Sequence, residues 1–114
     1  MKNSLQFFFT IIILSSCSSY NNLNKSQTIY ISHLNKIEYF VKNKDREISL
    51  DLGGLFPSIK LLENLTKIKS DLSESFESFP IPTRKNFKQW RNWYKINKDK
   101  LYFDETERII KVNP

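Results

Sequence analysis

The chain has 114 residues, 18 basic and 12 acidic, with a formal net charge of +6 and a single cysteine. That length supports one small domain with one apolar core, and the lone cysteine excludes an internal disulfide. One histidine and one cysteine cannot make a Cys/His metal site, and two glycines are too few for a phosphate-cradling loop.

The N-terminus has three parts. Lys2 gives a positive start, Leu5–Leu14 is apolar apart from Gln6 and Thr10, and small residues follow at Ser15, Ser16, Ser18 and Ser19. This is the organisation of an export signal. Ten helical residues span about 15 Å, half of a bilayer core, so the run is too short for a permanent membrane span.

Leu14-Ser15-Ser16-Cys17 resembles a bacterial lipobox: a branched apolar residue, two small residues, then cysteine. The resemblance implies that the Cys17 sulfur receives a diacylglyceryl group, that the chain is cut before Cys17, and that the freed amine is acylated, with palmitate as a usual chain. A thiol suits that chemistry because sulfur is the strong nucleophile. Each buried CH₂ contributes about 0.8 kcal/mol, so one acyl chain holds marginally and two or three hold durably. The alternative is an ordinary secretory signal cut after Ser16 or Ser18. Ser18, in place of an aspartate, resembles the sorting signal for the outer membrane, so the expected location is the bacterial cell envelope, outer membrane favoured over inner. Asn24-Lys25-Ser26 and Asn64-Leu65-Thr66 match a glycosylation triplet, which an Asn-rich chain produces by chance.

The expected organisation is a signal peptide over 1–16, the lipidated cysteine and a polar tether over 17–27, and one globular domain over 28–114. Loss of 1–16 removes Lys2 alone, leaving 17 basic and 12 acidic residues and a charge of +5. Abundant Lys, Asn and Ile beside a complete absence of Ala points to an AT-rich coding bias, which weakens the functional weight of that charge.

Ser18–Gln27 is polar and aperiodic, as a tether would be. Tyr30, Leu34, Ile37 and Val41 then recur at helical spacing, with Ile31 and Phe40 alongside, and predict an amphipathic helix over 26–42. "ISLDL" alternates as a short strand or extended segment, and Gly53-Gly54 reads as a break. Pro57 suits the first turn of a second helix, whose buried face would carry Ile59, Leu61, Leu62, Leu65 and Ile68 and which would end at 67–70. "SDLSESFESF" is a frayed helix or a packed loop stopped by Pro80 and Pro82. Thr83 predicts an N-cap for a third helix over 84–97, and "KLYFDETERIIKV" reads as a β-hairpin around a polar turn at 104–107. The fold class is therefore mainly α: about three helices on one core, closed by a two-stranded C-terminal hairpin.

The third helix, "RKNFKQWRNWYK", separates in space what is interleaved in sequence. Phe87, Trp90, Trp93 and Tyr94 share one arc, and Arg84, Lys85, Lys88, Arg91 and Lys95 fill the next. Either the aromatics are core and the basic residues a solvated flank, or Trp90, Trp93 and the five cations form an interaction surface for a polyanion. Nucleic acid is the least favoured polyanion, because it needs exposed stacking aromatics. Trp90-x-x-Trp93-Tyr94, Asn97-Lys98 and "KLYFDE" resemble the closing segment of some uncharacterised exported bacterial proteins, including HEAT-like helical ones. That resemblance implies a helical module closed by a hairpin.

His33 is expected to be a partly exposed structural residue, and no Gly-x-Ser-x-Gly elbow supports a Ser-His-Asp arrangement. Carboxylates gather at Asp45/Glu47/Asp51, Asp71/Glu74/Glu77 and Asp104/Glu105/Glu107, where solvation is the default. No catalytic, metal or cofactor residue is assigned. The expectation is a membrane-anchored, non-enzymatic interaction module of the envelope with a possible protein partner. The alternatives are an immunity-type protein that neutralises a toxin, and a polyanion or anionic-lipid binder acting through 84–97.

Overall fold

The computed structural model describes residues 2–44, 52–72 and 80–114, with side chains over 23–44, 54–72 and 80–114. The described residues form helix α1 (Lys2–Asn43), helix α2 (Leu52–Thr66), helix α3 (Arg84–Asn97), a 3₁₀ turn (Lys98–Lys100), strand β1 (Leu101–Asp104) and strand β2 (Ile109–Val112). β1 and β2 pair antiparallel, Leu101 opposite Val112 and Asp104 opposite Ile109. The mainly α class with a C-terminal hairpin is the one the sequence predicts.

α1 runs far beyond the predicted start at 26. The expected tether contains neither glycine nor proline. Its Asn and Ser residues are weak helix formers, not breakers, so a helix flanked by strong apolar stretches passes through them. The domain also begins earlier than residue 28. Ser26 is buried with its hydroxyl donating to the Leu23 carbonyl at 2.7 Å, and Gln27 Nε2 donates to the Lys98 carbonyl at 3.1 Å.

α2 takes in Gly53-Gly54, so the expected break lies inside a helix. Each glycine costs about 1 kcal/mol there, but burying Leu55, Ile59 and Leu62 returns about 1.5–3 kcal/mol apiece. Pro57 stands in the second turn, not the first, and lacks the amide that would bond to the Gly53 carbonyl. Leu52 opens this helix; the rest of the expected "ISLDL" segment lies outside the described residues. α2 ends at Thr66, where Lys67 turns left-handed (φ 62°) and its amide bonds back to the Glu63 carbonyl at 2.9 Å.

α3 has the predicted ends. Thr83 caps it by accepting from the Asn86 amide, while the Asn86 side chain accepts from the Thr83 amide at 3.0 Å, a reciprocal capping box. Asp71 joins the same cluster, with its amide on Asn86 Oδ1 at 3.0 Å and its carboxylate accepting from the Thr83 hydroxyl at 2.8 Å. Leu72 and Pro80 form an isolated antiparallel bridge; residues 73–79 between them, with the Phe76 and Phe79 expected to pack there, lie outside the described residues.

The core is made of Tyr30, Leu34, Ile37, Phe40 and Val41 from α1, Leu55, Ile59 and Leu62 from α2, Trp90 from α3, and Leu101, Phe103 and Ile110 from the hairpin. α3 runs antiparallel to α1: Gln27 meets Lys98, Tyr30 meets Trp90 and Tyr94, and Glu38 and Val41 meet Arg84 and Phe87.

Candidate functional site

The five cations of α3 are all exposed, and the aromatics are not. Trp90 is 0 % exposed, with its indole N–H donating to the Ile68 carbonyl at 3.2 Å. Trp93 is half-buried, and both it and Tyr94 stack on Tyr30, with centroids 5.6 and 5.0 Å away. Trp90 therefore leaves the expected interaction surface, because the core takes its whole ring; Trp93 stays partly exposed while stacked on Tyr30. Arg84, Lys85, Lys88, Arg91 and Lys95 remain as a cationic strip. Within it Lys85 pairs with Asp71 at 3.2 Å, and Arg91 lies over the Phe87 ring at 5.3 Å.

Six titratable groups are committed to structure. His33 Nδ1 and Ser58 Oγ are hydrogen-bonded at 2.7 Å, and Ser58 is fully buried. This pair ties α1 to α2, and its serine is closed to a substrate. Burial, with help from Lys36, holds His33 below the usual imidazole range. Burial likewise pushes the Tyr30 and Tyr94 hydroxyls up. Asp71 is lowered by its bonds from Thr83 and Lys85. Asp104 is lowered by the Glu107 amide, Lys111 and the Thr106 amide, and so fixes the hairpin loop. Lys111 is raised by Glu107 and Asp104, 2.9 and 3.0 Å away.

The third carboxylate group is thus the clasp of the hairpin, with Asp104 the last residue of β1 and the loop at 105–108, one residue later than predicted. Asp45, Glu47, Asp51, Glu74 and Glu77 lie outside the described residues, as does the side chain of Cys17. Among the described residues no three His, Cys, Asp or Glu side chains could hold a metal, and no helix is long and apolar enough to cross a membrane.

Sequence reasoning missed a groove of about 550 Å³ between α2 and the hairpin, lined mainly by Leu61, Leu65, Lys67, Tyr102, Ile109 and Val112. Leu61 and Leu65 belong to the predicted apolar face of α2, but only Ile59 and Leu62 enter the core. The first two form the groove wall. On its other side lies the edge of β2. The Asn113 amide bonds to the Lys100 carbonyl at 2.9 Å, so by antiparallel alternation Lys111 and Ile109 bond to β1. Ile110 and Val112 then turn their N–H and C=O groups away from β1, and among the described residues these have no partner. The groove therefore has an apolar wall, an open backbone edge and two lysines in its lining, Lys67 and Lys111, the second paired with Asp104 and Glu107.

Compared with protein-family models, curated proteins and solved structures, the chain matches none.

Proposed function

We propose that this is a lipid-anchored protein of the bacterial cell envelope, acylated at Cys17, whose folded part is a non-catalytic interaction module. The module takes an extended polypeptide strand along the free edge of β2. The open Ile110 and Val112 backbone groups facing the groove carry this reading, because strand addition needs main-chain donors and acceptors beside side-chain pockets. Leu61, Leu65 and Val112 suit alternate apolar side chains of the incoming strand, and Lys67 suits a carboxylate on it. An envelope partner and a toxin neutralised by an immunity-type protein would both dock in this way.

Three experiments test the proposal. Metabolic labelling with a palmitate analogue should mark the wild type and not Cys17→Ser. Val112→Pro deletes an outward N–H while leaving the bonds to β1 intact, a change that an edge strand tolerates. A stoichiometric partner retained by the wild type from detergent extract should be lost by the folded Val112→Pro protein. In the complex, the Ile110 and Val112 amides should gain protection from hydrogen exchange. Unchanged exchange at both amides rejects strand addition.

A second reading, binding of a polyanion through α3, is favoured by the exposure of all five of its cations. It predicts association that weakens with salt. The buried Trp90 removes the stacking platform that single-stranded nucleic acid would use.

A further inference from the structure

We infer that the domain stands on the membrane in one orientation. The end formed by Lys95, Ile96 and the 3₁₀ turn faces anionic lipid headgroups. This rests on acylation at Cys17, as proposed above, and adds which surface the anchor brings down.

Cys17 lies within α1, and the same helix continues to Asn43 in the core. A helix cannot fold back on itself as a coil linker can, so the anchor point and the domain are held at a fixed spacing. From residue 17 to Gln27 is ten residues, about 15 Å of helix. Gln27 is where α1 meets the far end of α3: its side chain bonds to the Lys98 carbonyl. Because α3 is antiparallel to α1, the last turn of α3 and the 3₁₀ turn lie at the end of the domain toward the acylated residue, beside the hairpin end, where Lys25 meets Glu105 and the Phe103 ring.

That end is cationic. Lys95, Lys98 and Lys100 are exposed, and Lys25 joins them from α1. The opposing carboxylates are Asp99, and Glu105 at 4.0 Å from Lys25. In their midst Ile96 is 78 % exposed, the most open of the large apolar side chains described. An apolar tip ringed by lysines matches the chemistry of a lipid interface, where the side chain enters the headgroup layer and the cations meet phosphate. The lysines start about one helical stem from the acyl groups, and their side chains bring the charge closer to the roughly 8 Å over which surface potential persists at physiological ionic strength. A modest tilt of α1 completes the contact. The opposite end, where α1 finishes beside Tyr39 and Lys42, faces away from the bilayer.

The test uses the full chain, acylated in bacteria and reconstituted into vesicles of phosphatidylcholine with or without phosphatidylglycerol, some of the lipid brominated. Ile96→Cys and Tyr39→Cys each provide a free thiol for a fluorophore, since the acylated Cys17 sulfur does not react, and both sites are exposed. The label at 96 should be quenched several-fold more than that at 39 in phosphatidylglycerol vesicles. The contrast should shrink without phosphatidylglycerol, or with Lys95, Lys98 and Lys100 all changed to Glu. Equal quenching at both positions in protein shown by mass to be acylated overturns the orientation alone. An unmodified Cys17 with no vesicle association overturns the anchoring reading and this one with it.

Discussion

Tyr30 and Trp90 are both fully buried, and the Tyr30 hydroxyl donates to the Trp90 carbonyl across 2.8 Å. The Trp90 indole in turn donates to the Ile68 carbonyl, so two aromatic side chains connect α1, α3 and the segment that follows α2. Tyr30→Phe keeps the ring stacked on Trp93 and Tyr94 and should cost about 1 kcal/mol. Trp90→Ala should cost about 3–5 kcal/mol, much of the roughly 5–15 kcal/mol that holds a domain together. Urea unfolding followed by circular dichroism measures both, and near-equal losses would contradict this arrangement.

His33 sets a slope of stability with pH. Its folded-state affinity for protons is below that of the unfolded chain, so stability is complete above about pH 6.5 and falls as acid protonates the unfolded form first. His33→Gln should flatten the profile between about pH 7 and 5. A His33 titration midpoint at or above that of a free imidazole, read by NMR, would rule this out.

Thr83 caps α3 and bonds to Asp71, so Thr83→Ala should lose about 1 kcal/mol at neutral pH. Asp71 is lowered in the folded state. Its contribution is therefore present above the ordinary carboxylate value of about 4 and disappears as pH falls through the folded value. Removal of the Thr83 hydroxyl should make the acid loss shallower as well as lowering the neutral-pH plateau. Parallel curves for the two proteins would assign the acid transition elsewhere.

Lys67 carries a left-handed backbone that glycine adopts freely, at a cost to any other residue of about 1 kcal/mol. Lys67→Gly should therefore stabilise the fold by about 0.5–1 kcal/mol and raise Tm by a few degrees. Lys60→Gly, at an exposed position inside α2, should do the reverse by about 1 kcal/mol. Calorimetry on the pair decides it; a loss of stability in both would place residue 67 in a different conformation.

Local chemistry was legible in the sequence where it acts alone. Thr83 marked the start of α3, and two apolar runs around a polar turn marked the hairpin. It misled where tertiary burial outweighs propensity. Gly53-Gly54 and Pro57 look like punctuation, yet Leu55, Ile59 and Leu62 carry the helix across them. The polar stretch before Gln27 looks like coil, yet its neighbours on both sides are helical. The His33–Ser58 bond spans 25 positions, and the groove joins Leu61 to Val112. Neither has a periodicity to detect. Both exist only once α2 lies beside its two partners.

The unbroken α1 also matters when force is applied. A pull on its N-terminal end is directed along the helix axis, and the antiparallel α3 lies lengthwise against it. Tyr30, Leu34, Ile37 and Val41 would all have to slide at once. Drawing the helix out of the domain would meet collective shear, whereas a flexible leash would let the contacts peel apart one at a time.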